Sequence, residues 1–249
     1  MTYQAFLEND FTPFDPLLLT EETEKIVCQN LSRKYTSFYC TGVYGGISTG
    51  YLCGCCLRCI FCWVSLSRDF PFKYGKFYTP KEVVNRLISN AKKKRINKLR
   101  ISGGEPTICK EHLLEVLNLI NETSYFFILE TNGILLGHDI EFVKELKKYN
   151  NLYVRVSLKA GTPEGFQIRT GAQGKFYELP YRALQYLREA GIYFRAASMS
   201  DPRLMPKEER KRMIKKLDQI GYHDYLEEEI CDPYDTSILR LNKAGWKIF

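Results

Sequence analysis

The chain has 249 residues, of which 45% are apolar and 26% are charged, values typical of a folded globular protein that can bury a sizeable core. Its formal net charge of +7 suits an acidic partner without requiring one. The composition excludes a largely disordered chain, and no apolar segment approaches the ~20 residues that span a bilayer, so we expect no membrane partner.

Strands and helices are predicted to alternate along the chain. Residues 47–52 read as a strand, and Thr79-Pro80-Lys81-Glu82 is a helix start with Thr as N-cap and Glu at the capping-box position, which opens a helix over 80–94. The pattern continues with strands at 97–102, 125–130, 152–158, 192–197 and near 225–230, and with helices around 113–120, 139–149, 176–190 and 206–219. This alternation is typical of a parallel sheet with crossover helices. We predict one domain over 1–249, with a core at about 47–230 and extensions at 1–46 and 231–249.

The first residues lack the basic start and apolar run of a signal peptide, so we expect a cytoplasmic protein. Thiols stay reduced there, and clustered cysteines are then typical of metal sites or catalysis rather than disulfides. Four of the nine cysteines lie within residues 54–63, and Cys53 directly precedes them. The odd total also argues against complete pairing.

Several ligand sets are possible within this stretch. Two Cys-x2-Cys pairs, 53–56 and 59–62, would supply four thiolates, although structural zinc sites normally need a longer loop between the pairs. The run 56–59–62 begins like that of a bacterial ferredoxin, but position 66 is Leu where that run has Cys. Cys55-x3-Cys59-x2-Cys62 could hold three irons of a [4Fe–4S] cube and leave the fourth iron open. The spacing alone leaves zinc and ferredoxin-like sites open.

The third of these ligand sets carries a family resemblance. Cys55-x3-Cys59-x2-Cys62, with Phe61 before the last cysteine, resembles the cluster motif of the radical S-adenosylmethionine (SAM) superfamily, and Gly103-Gly104-Glu105-Pro106 stands where that superfamily has its Gly-Gly-Glu motif. Further strand ends follow in order at 130–133 and 157–159. The resemblance implies an α/β fold, a partial (β/α)6 TIM-like barrel, with the site at the C-terminal ends of the strands.

The resemblance also implies the cofactors. One [4Fe–4S] cluster would be held by Cys55, Cys59 and Cys62, and its open iron would bind the amino and carboxylate groups of SAM. Reductive cleavage would give a 5′-deoxyadenosyl radical that abstracts hydrogen from a substrate. Glu105 would face the methionyl amine or lock its loop, and Lys159 would bind the SAM carboxylate. The implied cofactor-binding residues are Phe61, Gly103, Gly104, Glu105, Thr131, Asn132, Ser157 and Lys159.

Finer likenesses point to glycyl-radical-enzyme activases. Gly54-Cys55-x2-Arg58-Cys59 is similar to their cluster loop, with Cys56 where they usually have Pro. In activases an acidic residue at the position of Glu130 lies near a monovalent cation, which the resemblance adds as a cofactor. Ser157 departs from the activase pattern, which has Asp beside the SAM ribose. Cys62-Trp63 is instead similar to the wyosine tRNA synthases.

For the substrate, the leading expectation is a macromolecule, with protein ahead of RNA, because a barrel that does not close leaves a side opening. A reductant such as flavodoxin or ferredoxin would supply the electron. The first alternative is a small-molecule enzyme of cofactor or nucleotide biosynthesis with 231–249 folded over the opening, in which case Trp246 and Phe249 would plug it. The second alternative is an iron–sulfur electron carrier, or a zinc scaffold, without radical chemistry.

The other cysteines, two histidines and two basic residues have expected roles outside the cluster motif. Cys53 and Cys56 are expected to be packing residues, as free cysteine is among the most buried types. His112 is expected at the surface or in a cap, and His138 on the active face. Arg169 and Lys175 lie in a Gly-rich loop and could reach SAM or an acidic substrate. We expect the scattered cysteines to be structural, with Cys40 and Cys231 kept as candidates for a catalytic thiol; the set is Cys28, Cys40, Cys109 and Cys231.

Overall fold

A computed structural model describes residues 3–249. Within this range the chain forms nine strands and nine α-helices. In chain order they are α1 (Pro16–Val27), β1 (Cys28–Gln29), β2 (Ser32–Thr41), β3 (Ile47–Leu52), β4 (Lys76–Tyr78), α2 (Pro80–Lys94), β5 (Lys98–Ser102), α3 (Lys110–Asn121), β6 (Phe126–Thr131), α4 (Ile134–His138), α5 (Ile140–Leu146), β7 (Leu152–Leu158), α6 (Pro163–Thr170), α7 (Glu178–Glu189), β8 (Phe194–Met199), α8 (Lys207–Gln219), β9 (Glu227–Glu229) and α9 (Asp235–Lys243). None of these helices is both long and apolar enough to cross a membrane.

All nine strands belong to one sheet of order β1-β2-β3-β5-β6-β7-β8-β9, with β4 paired to β2. Each neighbouring pair from β3 to β9 is parallel, whereas β1, β2 and β4 add antiparallel pairs. The six parallel strands and their crossover helices confirm the predicted partial (β/α)6 barrel. The sheet does not close, because β1 and β9 remain its two edges.

The best-predicted element is α2, which spans 80–94 as the capping signals indicate. The Thr79 N–H donates to Glu82 Oε2 at 2.8 Å, and the Glu82 N–H donates to Thr79 Oγ1 at 3.4 Å, so the capping box forms in both directions. Its apolar side chains pack into the core behind the sheet. Local side-chain chemistry therefore decides where this helix begins.

The sequence analysis missed the antiparallel edge formed by β1, β2 and β4. In β2 a bulge between Tyr35 and Ser37 breaks the alternation of buried and exposed side chains on which a strand prediction depends. β1 and β4 have two and three residues, too few for a periodic pattern. The region treated as an extension therefore contributes a structural edge to the sheet.

His112 is buried, so its predicted surface or capping position is wrong. Its side chain bridges two elements: Nδ1 lies 2.7 Å from the Leu31 carbonyl, and Nε2 lies 2.9 Å from the Tyr35 hydroxyl. Because a carbonyl only accepts, Nδ1 carries the proton and the Tyr35 hydroxyl donates to Nε2. Burial lowers the pKa of His112 to about 4. The ring is therefore neutral in the folded protein at neutral pH.

This lowered pKa predicts a pH-dependent stability. In the unfolded chain His112 binds a proton below its ordinary pKa of 6.5, whereas in the folded chain it binds one only below about pH 4. Between these pH values the unfolded state binds more protons, so the free energy of unfolding decreases as the pH is lowered from 6.5 to 4. The contribution of His112 should be about 3 kcal/mol. Urea unfolding at several pH values would measure it. His112→Gln should remove this part of the slope, and an unchanged slope in the variant would contradict the assignment.

Candidate active site

The residues singled out from the sequence lie on loops after consecutive parallel strands. The cysteine loop (residues 53–69) follows β3, the Gly-Gly-Glu-Pro loop (103–106) follows β5, and Thr131-Asn132 closes β6. Ser157 and Lys159 lie at the end of β7. Because the carboxyl ends of parallel strands meet at one edge, the topology brings these groups together.

The cysteine loop has no helix or strand of its own, so its backbone is held by neighbouring segments. The Gly54 N–H donates to the Ser67 carbonyl at 3.1 Å. The Arg58 and Ile60 N–H groups donate to the carbonyls of Thr170 and Arg169 at 2.9 and 3.0 Å, respectively. The loop is thus fixed from the side of α6, and its cysteines are presented on an ordered backbone.

The thiols at 55, 59 and 62 share one electrostatic environment. Burial raises the pKa of Cys59 to about 12. The nearby Lys159 ammonium acts to lower this pKa, and negative charge on Cys62 or Cys55 acts to raise it. A hydrogen bond from the Cys56 thiol lowers the pKa of Cys55 to about 7. Positively charged iron would draw the proton from each thiol, since metals bind the thiolate.

The spread of these sulfurs tests for a preformed zinc site. Within residues 3–249, the only group of three or more Cys, His, Asp or Glu ligand atoms that all lie within 4.8 Å of one another is Glu24, Cys28 and Cys109. Two thiolates on one zinc, each at ~2.3 Å, cannot be more than ~4.6 Å apart. As placed in the structure, the sulfurs at 55, 59 and 62 do not all lie within that distance of one another, so the three do not form a preformed zinc site.

Cys53 and Cys56 are both fully buried, as the packing interpretation expects. The Asn132 side-chain amide donates to Cys56 Sγ at 3.2 Å and approaches Cys55 Sγ at 3.8 Å. Asn132 therefore ties the end of β6 to the cysteine loop.

Glu105 is buried and locks the loops at the ends of β5 and β6. One carboxylate oxygen accepts from the Thr107 N–H at 3.2 Å, from the Thr107 hydroxyl at 2.7 Å and from the Thr131 hydroxyl at 2.7 Å; the other accepts from the Asn132 N–H at 2.9 Å. In the structure the Glu105 carboxylate therefore locks its loop, which is one of the two roles expected for it.

The two glycines of the Gly-Gly-Glu-Pro loop serve the contact with the cysteine loop. Gly103 has φ of +89°, in the left-handed region that favours glycine. A Cβ on Gly104 would collide with the Gly54 carbonyl oxygen and lie 3.0 Å from the Cys53 carbonyl oxygen. The Glu105 N–H donates to the Gly54 carbonyl at 3.0 Å. The two glycines therefore let the Gly-Gly-Glu-Pro loop lie directly against the backbone of the cysteine loop.

Lys159, Ser157 and Phe61 converge beside Cys59. Lys159 Nζ donates to Ser157 Oγ at 2.6 Å and lies 5.9 Å from the centroid of the Phe61 ring. Ser157 Oγ in turn donates to Glu229 Oε2 at 3.4 Å. The Lys159 ammonium thus stands between the cysteine loop and the interior of the barrel.

Glu130 is part of a buried ion pair. Its carboxylate oxygens accept from Arg100 Nη1 at 3.0 and 3.1 Å, from the Ser102 hydroxyl at 3.0 Å and from the Tyr44 hydroxyl at 2.5 Å. Burial acts to raise the pKa of Glu130, but Arg100 and Arg155 together with the hydrogen bonds from Tyr44 and Ser102 outweigh it, so the pKa lies below its ordinary value. Arg100 is the ion-pair partner of this carboxylate in the structure.

Sequence reasoning also missed a second charged group on the inner wall of the barrel. Arg155 donates to both oxygens of Glu227 at 2.9 Å and to Glu229 Oε1 at 2.8 Å. Arg155 and Ser157 alternate with apolar residues along β7, so polar side chains at alternate positions of a buried strand were the available signal. The interior of the barrel is therefore polar.

The side chains of Arg169 and Lys175 both contact other residues of the protein. Arg169 is buried, donates to the carbonyls of Lys159 and Leu204 at 3.1 and 3.0 Å, and forms an ion pair with Glu209. Lys175 stacks on Phe176, 4.9 Å from the ring centroid. Arg169 therefore positions the backbone of Lys159, and its own guanidinium is not free to contact a ligand.

The C-terminal segment holds the end of the cysteine loop. Arg240 Nη1 donates to the carbonyls of Cys62 and Val64 at 2.5 and 2.6 Å, and its guanidinium forms an ion pair with Asp69. The Thr236 hydroxyl donates to the Trp63 carbonyl at 2.8 Å. These partners lie more than 170 residues apart, so no local pattern could have revealed them.

The chain end does not plug the barrel. Phe249 is 52% exposed and packs on Arg203, 4.6 Å from its guanidinium, while Trp246 is half-buried at the border of the core. These two residues therefore do not form the closed cover that the small-molecule alternative expects.

The other cysteines and His138 are distributed as follows. Cys231 is buried, and burial raises its pKa to about 11 with a contribution from Cys62. Cys40 lies near the end of β2, opposite Ser48 at the start of β3 and away from the active edge, and its thiol donates to the Asn90 carbonyl at 3.4 Å. His138 is exposed at the end of α4. Cys28 and Cys109, which are far apart in sequence, lie with their sulfurs in contact, a pairing that the sequence analysis did not predict.

Comparisons with known proteins agree with this geometry. The family model of the radical SAM superfamily matches residues 51–197. A probable GTP 3′,8-cyclase of Methanococcus aeolicus is 32% identical over 141 residues, which cover 55% of this chain and 44% of the relative. A putative glycyl-radical enzyme activating enzyme of Methanocaldococcus jannaschii is 29% identical over 83 residues, 33% of this chain and 30% of the relative. The chain thus spans less than half the length of these relatives.

Among solved structures, SuiB of Streptococcus suis bound to the precursor peptide SuiA has a TM-score of 0.57 at 19% identity, covering 72% of this chain and 37% of SuiB. This likeness shows the fold. Since the family model covers more than half of the chain, from β3 into β8, the protein belongs to the radical SAM superfamily, whose members carry a [4Fe–4S] cluster and use SAM.

Proposed function

We propose that this protein is a radical SAM enzyme that abstracts hydrogen from a macromolecular substrate, with a protein or peptide ahead of RNA. Cys55, Cys59 and Cys62 would hold the [4Fe–4S] cluster. When bound, the reduced cluster supplies the electron that cleaves SAM to methionine and a 5′-deoxyadenosyl radical. A small reductant protein such as flavodoxin or ferredoxin would deliver that electron.

The residues around the cysteine loop would bind and orient SAM. The Lys159 ammonium, placed beside Cys59 and Phe61, would pair with the SAM carboxylate. Ser157 would donate to a ribose hydroxyl, and Phe61 would offer backbone contacts to the adenine. Glu105, Thr131 and Asn132 would act mainly by holding the Gly-Gly-Glu-Pro loop and the cysteine loop in register.

One observation carries the macromolecular substrate: large apolar side chains are exposed at the active edge. Trp63 is 45% exposed, Ile230 67% and Tyr234 54%. Trp63 lies in the loop after β3, and Ile230 and Tyr234 lie in the segment after β9, which contacts that loop through the hydrogen bond from Thr236 to the Trp63 carbonyl. Exposed apolar side chains grouped beside a site are typical of a surface that contacts another macromolecule. We name Trp63, Ile230 and Tyr234 the apolar rim.

A second candidate is supported by the relatives and by the polar interior. The M. aeolicus relative is named a probable GTP 3′,8-cyclase, which acts on a small molecule. Arg155, Glu227 and Glu229 line the barrel interior and could bind a charged small substrate. On this alternative the apolar rim would play no part in substrate binding.

Deuterium transfer separates the two candidates. Anaerobically reconstituted protein would be given SAM, dithionite and either deuterated protein, deuterated RNA or deuterated GTP, and label in 5′-deoxyadenosine would be measured by mass spectrometry. We expect label from the protein fraction. Label from RNA alone would support a macromolecular substrate but show that it is RNA rather than protein. Label from GTP alone would favour the small-molecule candidate.

The apolar rim gives a matched pair of variants. Tyr234→Ser should reduce label transfer from the protein fraction by about tenfold, because exposed aromatic anchors dominate such contacts. Phe126→Ser is the control. Phe126 is also 54% exposed, but it is the first residue of β6 and so lies at the amino-terminal ends of the parallel strands, opposite the active site. Equal transfer by Tyr234→Ser and Phe126→Ser would contradict a role for the rim.

A further inference from the structure

Cys28 and Cys109 form a contact that the proposed function does not use. Their sulfurs touch, and their Cα atoms are 6.0 Å apart, within the range that a disulfide spans. Cys28 begins β1 directly after α1, and Cys109 immediately precedes α3, three residues after the Gly-Gly-Glu-Pro loop. The pair therefore joins two segments separated by 81 residues.

A buried arginine connects this pair to the active site. Arg33 Nη1 lies 3.0 Å from Cys109 Sγ and 3.5 Å from Cys28 Sγ. Its Nη2 donates to the carbonyls of Cys53 and Glu105 at 3.2 and 3.1 Å, and its Nε has no partner. A guanidinium beside a thiol favours the thiolate, which is the reactive form in disulfide exchange.

A metal site is the competing interpretation. The Glu24 carboxylate lies within 4.8 Å of both sulfurs, so Glu24, Cys28 and Cys109 could offer three ligands to zinc. The Arg33 guanidinium, however, places a fixed positive charge against Cys109, where a cation would be repelled. Contact between the sulfurs and an adjacent positive charge favour a disulfide over a cation.

We propose that Cys28 and Cys109 are a reversible thiol–disulfide pair that ties α1 to the segment behind the Gly-Gly-Glu-Pro loop when oxidised. A glutathione disulfide would serve as oxidant. The partly exposed Cys28 thiolate attacks one of its sulfurs and releases one glutathione thiolate, and the buried Cys109 thiolate beside Arg33 then attacks the Cys28 sulfur of the mixed disulfide and releases the second. Two electrons pass from the protein thiols, and two glutathione thiols are produced for each disulfide formed.

The surroundings give a small oxidant a route to the pair. A cavity of about 200 Å³ is lined by Glu24, Cys109 and His138 among others. Cys28 is partly exposed, so the first exchange step can take place at the surface of the protein. Closing a loop of this length restricts the unfolded chain, so the oxidised protein should be more heat-stable than the reduced one by several degrees.

The test is disulfide mapping of the reconstituted protein in anaerobic glutathione buffers. After alkylation, mass spectrometry should find a Cys28–Cys109 cross-linked peptide under oxidising ratios and two alkylated cysteines under reducing ratios. Cys40→Ser should retain the cross-link and the difference in melting temperature, whereas Cys28→Ser should lose both.

Two results would overturn the proposal. Alkylation of both cysteines at every glutathione ratio would exclude the disulfide. One equivalent of zinc that is lost in Cys109→Ser would establish the metal site instead. Because neither readout depends on SAM cleavage, this inference and the proposed function can fail independently.

Discussion

Cys59→Ala is expected to abolish iron–sulfur binding, leaving the reconstituted protein with about a tenth or less of the wild-type iron. Cys59 is the middle ligand of the proposed set, and its thiol is buried within the cysteine loop, so no neighbouring residue can replace it. Iron and sulfide analysis, together with the electron paramagnetic resonance signal of the reduced cluster, would measure the loss. Cys55→Ala and Cys62→Ala should behave in the same way.

Cys56→Ala is the matched control, because Cys56 is buried in the same loop and differs from Ala by one sulfur. It should retain most of the iron and lose the hydrogen bonds that join Cys56 to Asn132 and Cys55, at a cost of about 1 kcal/mol in the free energy of unfolding. Loss of the cluster in Cys56→Ala with retention in Cys55→Ala would show that the ligand assignment is shifted by one residue.

Gly104→Ala should destabilise the protein by about 3 kcal/mol and prevent SAM cleavage. The added methyl group would collide with the Gly54 carbonyl, and that obstacle is backbone, which cannot rotate away. The cysteine loop and the Gly-Gly-Glu-Pro loop would then separate, and the Glu105 N–H would lose its acceptor on Gly54. Chemical unfolding and 5′-deoxyadenosine yield would report the two effects.

Gly42→Ala is the control for the same chemical change, because a Cβ at Gly42 meets no atom within 4 Å. It should leave both stability and SAM cleavage close to wild type. If Gly104→Ala matched this control, the tight contact between the two loops would be disproved.

Much of the site could be predicted because it depends on chain order. Loops after successive parallel strands must meet at one edge, so the motifs at 103–106 and 157–159 could be placed together before any coordinates were known. Helix α2 could be bounded because its capping box is encoded within four residues. Periodic and local signals of this kind survive in the final fold.

The remaining features depend on contacts distant in sequence. Arg240 and Cys62 are bonded across 178 positions, and Arg33 and Cys109 across 76. Neither pair produces a periodic pattern in the sequence. The bulge in β2 also interrupts the alternation of buried and exposed residues by which that strand could have been predicted. The same reasoning explains why Glu105 was recognised as a motif residue but its carboxylate network was not.

The central claim is that the cysteine loop and the Gly-Gly-Glu-Pro loop together form a site that cleaves SAM. The most direct test gives anaerobically reconstituted protein SAM and dithionite and measures 5′-deoxyadenosine and methionine by liquid chromatography. We predict that both products form in equal amounts. Protein that carries a fully reduced [4Fe–4S] cluster and yields neither product would contradict the claim and favour an electron carrier.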